Sequence, residues 1–328
     1  MSSYSEAWKR ERKFLIQTAR RFGFATAGAE PAMHQEVDRL VGLIREQAGK
    51  PFDLYEPLSL CLLNVTLSMI FSQAYEPGDE EMTRFLDTLR GWYLAIFRLF
   101  DVEPLLPVLE KLGVSGRVRR AKARTVELFD FTRRQIERHR ATLDPDRPRD
   151  VLDACLIEMA RNDPDSDLKD FTEERLVWLL FIFLPDQGDT VPGILLFLLL
   201  AGALQPEVQD RVYGEIQEVI GDRPPRLQDK ERMPYTEAAI LEALRMDTAF
   251  WLLTPHATAG DVDFMGFRVP GGTTVIPNIY AAHFDPALWG DPEVFRPERF
   301  VKDGKVVRPP YFMPYSTGRR PLPSVLLK

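Results

Sequence analysis

Cysteine and histidine are scarce in this 328-residue chain. There are two cysteines, Cys61 and Cys155, and four histidines, His34, His139, His256 and His283. Two cysteines exclude a disulfide framework and any zinc site built of thiolates, and the histidines show no metal-ligand spacing. Positive charge is short as well. With 42 Lys and Arg against 49 Asp and Glu, the formal net charge is −7, so nucleic acid, which demands surplus cations, is not the expected partner. No internal repeat or low-complexity run is visible. Residues 1–23 carry Lys9, Arg10, Arg12, Lys13, Arg20 and Arg21 but no long apolar stretch, which predicts neither a signal peptide nor an N-terminal membrane anchor. The chain as a whole, 45% hydrophobic and 28% charged, suits a soluble protein that buries a sizeable core.

Proline divides the chain. Residues 255–328 hold 11 of the 26 prolines and residues 1–254 the other 15. Helical periodicity fills the first part, over roughly 4–22, 31–49, 57–72, 79–99, 115–141, 149–161, 172–203, 206–220 and 234–246. The last part reads as short strands and coil, with two strands expected across the Pro270-Gly271-Gly272 turn. The fold class is therefore mainly α with a small β and coil-rich C-terminal part. The apolar run 176–204 has the length of a membrane span. However, Asp186, Gln187 and Asp189 at its midpoint and Pro185 and Pro192 beside them favour a kinked helix in a protein core. The arginines of 117–140 read as a solvated helix face, with anionic lipid or an acidic protein as the alternative contact.

Glu242 and Arg245 lie three residues apart on one predicted helix face and can pair. The coil segment FRPERF at 295–300 supplies Arg299, which can complete a buried Glu-Arg-Arg network. Tyr315-Ser-Thr-Gly318-Arg-Arg320 follows. EALR, FRPERF and YSTGRR in this order and spacing resemble the cytochrome P-450 haem-thiolate monooxygenases, and the animal microsomal type in particular. Gly188-Asp189-Thr190 is similar to the oxygen-activation motif of that family's long central helix. Trp8-Lys-Arg-Glu-Arg12 is similar to its propionate-binding helix. The resemblance covers nearly the whole chain and implies one incomplete P-450 domain over 1–328, helix-rich over 1–254 and with strands, meander and haem-loop remnant over 255–328. It implies haem b as cofactor, with Trp8, Arg12, His256, Gly318 and Arg320 binding it. Asp189 and Thr190 are then the catalytic pair that relays protons, and Glu242, Arg245 and Arg299 a structural triad.

The resemblance breaks at the ligand. In the register of Gly318 and Arg320, the family's axial cysteine falls on Leu322, and leucine has no donor atom; Ser324 replaces the last glycine of the motif and Tyr315 its phenylalanine. Thiolate donation is what drives O–O cleavage in this haem class. Cys61 and Cys155 sit in apolar helical segments and read as buried residues. Asp186 and Gln187 also stand where the family has a small pair. By resemblance, the function is insertion of one oxygen atom from O2 into a lipophilic small molecule. Electrons would come from an NADPH-cytochrome reductase, and full-length members reside in the endoplasmic reticulum membrane. The expectation for this chain is a polypeptide truncated at both ends and catalytically incompetent, with exposed apolar surface on 176–204. The alternatives are a non-catalytic binding or interaction protein, a non-functional fragment, and a protein held in a membrane by 176–204.

Overall fold

The computed structural model describes residues 6–100, 116–161, 171–247 and 255–316. The fold is mainly α with a small β part, and the chain forms two compact units, Met1–Pro192 and Gly193–Lys328.

The first unit is helical: α1 (Glu6–Arg21), α2 (Glu30–Glu46), α3 (Tyr55–Phe71), α4 (Glu80–Phe100), α5 (Gly116–Arg140), α6 (Val151–Arg161) and α7 (Glu173–Phe181). The helix α3 is apolar on every side and almost wholly buried, as a helix needs to be when neighbours pack all round it. It lies against α2, α6 and the turn at 186–190, while α4 runs along α5 with Phe85 and Phe131 in contact at 4.6 Å between ring centres. After α7 come the short piece Phe183–Pro185 and a five-residue π-helical turn, Asp186–Thr190. Sequence periodicity predicts one unbroken helix over 172–203, and prolines account for the difference. Pro192 has no N–H for the carbonyl four residues back, and the N–H of Val191 bonds the Asp186 carbonyl five residues back instead.

The second unit opens within α8 (Val191–Leu204) and continues with α9 (Pro206–Val219) and α10 (Pro234–Met246). The short helices α11 (Ile279–His283) and α12 (Pro286–Trp289) follow. Proline starts α9, α10 and α12, at a position where its missing N–H costs nothing. Phe300, Trp289, Phe295, Ala238 and Ala243 form the core of this unit. Among the described residues its strands make three two-stranded antiparallel ribbons. In them β1 (His256–Ala257) pairs with β4 (Thr274–Val275), β2 (Val262–Phe264) with β3 (Phe267–Val269), and β5 (Val301–Lys302) with β6 (Lys305–Val306). The two strands expected across the Pro270-Gly271-Gly272 turn are β3 and β4, and each pairs with an earlier strand instead of with the other. β3 folds back onto β2 through Met265 and Gly266, whose φ angles of 51° and 84° suit a tight two-residue hairpin turn.

Among the described residues, Glu173–Leu204 is the one helical run long and apolar enough to cross a membrane, and 28% of its most apolar window is buried. Leu176, Val177, Leu180 and Leu184 are buried, whereas Trp178, Leu199, Leu200 and Leu204 are more than half exposed.

A buried ionic network joins α5 to α6. His139 Nδ1 lies 2.8 Å from the Gln135 carbonyl oxygen and Nε2 2.9 Å from Asp150 Oδ2. Both partners only accept, so each ring nitrogen carries a proton and the ring is an imidazolium. Burial lowers its pKa, and the hydrogen bond and charge of Asp150 outweigh burial, so the net shift is upward. Asp150 Oδ1 also accepts from the Asp153 N–H in the first turn of α6, and Arg149 grips both oxygens of Asp153 at 2.6 and 2.9 Å. Burial raises the Asp153 pKa and these bonds outweigh it, leaving the carboxyl below its ordinary range.

A histidine whose folded pKa exceeds its unfolded value of about 6.5 stabilises fully below that pH and loses the contribution as pH rises through the folded value. The stability gap between wild type and His139→Gln, measured by urea unfolding, should therefore narrow as pH rises from about 6.5. A gap that stays constant with pH contradicts a charged ring. Asp150→Ala should cost about 3–5 kcal/mol, because it leaves a buried cation unpaired.

Candidate functional site

The second unit is organised on Arg245 of α10. Arg245 and Glu242 have no exposed surface and face each other in a fork, Arg245 Nε to Glu242 Oε2 and Nη2 to Oε1, both at 2.8 Å. Two further guanidinium donors reach the carbonyls of His283 and Pro292 at 2.7 Å. The rings of Phe284 and Trp289 lie 5.4 and 5.1 Å from the guanidinium. Glu242 Oε1 also accepts from Arg299 Nε at 3.1 Å and from the Arg296 N–H at 3.0 Å. Arg299 further donates to the Trp289 and Asp291 carbonyls and, at 2.6 Å, to Asp291 Oδ1. Glu242, Arg245 and Arg299 are thus brought together into one network that ties coil to helix. The sequence did not disclose His283. Its Nε2 accepts from the Met313 N–H at 3.0 Å and its Nδ1 donates to the Arg245 carbonyl at 3.2 Å. That fixes a neutral tautomer, and burial lowers the pKa to about 4.

In the first unit, the turn Asp186–Thr190 gathers residues distant in sequence. The Tyr55 hydroxyl, at the start of α3, donates to Asp189 Oδ1. The Tyr93 hydroxyl of α4 meets Thr190 Oγ1 at 3.3 Å. The Arg90 guanidinium stacks 4.7 Å from the Tyr55 ring centre. Burial first, then the neighbouring carboxylates, push both phenols well above their ordinary pKa. Leu89 lies so close to Gly188 that a Cβ there would fall 2.5 Å from its Cδ2, so any side chain at 188 has to displace the end of the Leu89 side chain. Burial raises the Asp186 carboxyl to about 6, though the residue keeps some accessible surface. No sequence signal pointed to Tyr55 or Tyr93, which stand 134 and 97 residues from their partners.

The other expected site residues within the described residues lie on α1 and β1. Trp8 and Arg12 are one turn apart on α1, with the guanidinium 5.6 Å from the ring centre. His256 is exposed on β1, opposite Val275. Gly318, Arg320 and Leu322 lie outside the described residues.

A haem needs propionate partners and an axial donor. Trp8 and Arg12 are of the types that hold propionates. As for the axial position, the only cysteines of the chain, Cys61 and Cys155, are buried in α3 and α6. Burial, reinforced by nearby carboxylates, pushes their thiols up to about 11 and about 12, so neither is a thiolate near neutral pH. The described residues therefore do not fit haem-thiolate ligation. His139, Asp150 and Asp153 approach within chelating distance of one another, but their donor atoms are engaged in the network described above.

A sequence profile described as Cytochrome P450 matches residues 1–321. Among curated proteins, rat "Cytochrome P450 2J3" is 34% identical over 325 residues, covering 97% of this chain and 63% of that protein. Human "Cytochrome P450 2U1" is 31% identical over 320 residues, with 97% and 59% covered. Rat "Cytochrome P450 2D3" is 33% identical over 330 residues, with 98% and 64% covered. The chain spans about six-tenths of the length of these relatives.

Removing either member of the fully buried pair strands a charge. Glu242→Ala and Arg245→Ala should each cost about 3–5 kcal/mol. Arg245→Lys should rescue little, since an ammonium cannot reproduce the fork and the two carbonyl contacts together. Thermal unfolding checks this, and a Lys variant as stable as wild type contradicts it.

Proposed function

This chain belongs to the cytochrome P450 family, and from that premise we propose that it derives from a haem monooxygenase but does not itself perform monooxygenation. The family's activity inserts one oxygen atom from O2 into a lipophilic substrate, with electrons from an NADPH-cytochrome reductase at the endoplasmic reticulum membrane. In this chain Asp189 and Thr190 are the proton-handling pair of the central helix. Tyr55 fixes the carboxylate and Tyr93 the hydroxyl. Glu242, Arg245 and Arg299 hold the scaffold and do no chemistry. Trp8, Arg12, His256, Gly318 and Arg320 are the residues suited to an anionic cofactor edge.

The observation that carries the proposal is the state of sulfur. Both cysteines are buried thiols in helices of the first unit, and Leu322 occupies the family's ligand register. No electron-donating thiolate is available, and that donation is the property on which oxygen activation by this haem class depends.

A second reading, non-catalytic binding of a lipophilic molecule, is favoured by one feature. A cavity of about 840 Å³ in the second unit is lined by Ile220, Leu241, Leu244 and Phe312, with Arg226 and Arg308 also in its walls. Its size and apolar lining match those of small-molecule sites. Saturable uptake of an apolar fluorophore, abolished by Leu241→Trp, would support it; no uptake by the folded chain would remove it.

The main proposal is tested by the reduced-CO spectrum after incubation with haemin. The wild-type chain should give no thiolate-type Soret band, and Leu322→Cys should introduce it. A thiolate band from the wild type contradicts the proposal.

A further inference from the structure

The cavity of the second unit has walls of two kinds. One is apolar: Leu241 and Leu244 are buried on α10, and Ile216 of α9 and Phe312 line the same space. The other is charged, with Arg223, Arg226, Lys230 and Arg308 against Asp229 and Glu237, four cations to two carboxylates. Both carboxylates are already taken. Asp229, in the tight turn Leu227–Arg232, accepts from the two Nη of Arg223 at 2.7 and 2.5 Å, from Arg232 at 2.9 Å and from the Arg226 N–H at 2.8 Å. Glu237 Oε1 is shared between Arg308 at 2.6 Å and Lys230 at 3.4 Å. The Arg226 side chain is exposed and has no ion pair among the described residues.

A surplus of two positive charges therefore borders apolar walls. The Arg223, Lys230 and Arg308 side chains keep 37%, 49% and 45% of their surface in water, which places the charge at the opening and leaves the interior to the aliphatic and aromatic residues. Such walls draw an apolar body out of water. The guanidinium fork matches the two oxygens of a carboxylate, and bonds between ions are stronger than neutral ones. A cationic molecule would meet the same surplus as repulsion, and a neutral one would gain nothing from it.

We propose that this cavity binds a lipophilic carboxylate, its apolar body against α9 and α10 and its anionic head at Arg226 and Arg308. This rests on the reading of the cavity as a small-molecule site and specifies the class of molecule it takes. Arg226 and Arg308 act here as binding residues with no part in bond making.

The test is fluorescence titration of the full chain near neutral pH with 1-pyrenebutanoate and with neutral 1-pyrenebutanol, which share one apolar body. The anion should bind about fivefold tighter or better, as charge-assisted bonds at a partly hydrated opening give. Arg226→Gln combined with Arg308→Gln removes the surplus and should bring the probes to parity, with the alcohol's affinity unchanged. Arg119→Gln combined with Arg120→Gln makes the same charge change at exposed positions of α5 and should leave the preference in place. Cooperative thermal unfolding, measured alongside, confirms the fold of each variant. Equal binding of both probes by wild type, or a preference that survives the first pair of substitutions or vanishes with the second, overturns the proposal and leaves the cavity standing as a site for lipophilic molecules. Uptake of neither probe by folded protein overturns it together with that reading of the cavity.

Discussion

A guanidinium with no exposed surface cannot be left with idle donors, and Arg245 imposes that condition on the second unit. Glu242 takes two of its bonds, and the carbonyls of His283 and Pro292 take the others. Those carbonyls belong to coil and to a five-residue helix that have little structure of their own. Satisfying one cation thus fixes where α11, α12 and the segment reaching Arg299 lie against α10. Trp289 adds to this: its ring flanks the Arg245 guanidinium while its carbonyl accepts from Arg299. The proline-rich C-terminal part, whose described residues hold short helices and two-stranded ribbons, depends on a polar network for order that periodic secondary structure supplies elsewhere.

Surroundings decide the proton on each titratable group. His139 and His283 are both buried, yet one faces two acceptors and is charged, while the other faces an acceptor and a donor and is neutral. The cysteines follow the same logic in the opposite chemical direction. With apolar helices and nearby carboxylates around them, the thiols hold their protons. A family whose chemistry turns on an ionised sulfur is here represented by a chain whose sulfurs are kept neutral.

Periodicity made the helices legible because they carry amphipathic or wholly apolar patterns, and proline marks the start of α9, α10 and α12. The pairing of Glu242 with Arg245 was legible from spacing alone. Arg299 was inferable because a motif rich in proline and arginine had to sit on something buried. Four features were not legible. The π-turn depends on a hydrogen-bond shift that hydropathy does not encode. The β2–β3 hairpin turns on Met265, whose left-handed backbone is unusual for that residue type. Tyr55 and Tyr93 meet Asp189 and Thr190 only through tertiary packing, across separations that leave no local trace. The His139–Asp150–Asp153 cluster was hidden for a related reason, since its spacing matches no metal motif and its purpose is internal pairing.

We propose that this P450 chain offers no sulfur to iron. The most direct measurement is X-ray absorption at the iron edge of the chain loaded with haemin, which reports the atoms bound to the metal without reference to activity. The expected result is a shell of nitrogen and oxygen scatterers with no sulfur, unchanged when Cys61 and Cys155 are both replaced by serine. A sulfur scatterer at thiolate distance that disappears in the Cys61→Ser, Cys155→Ser chain would contradict it.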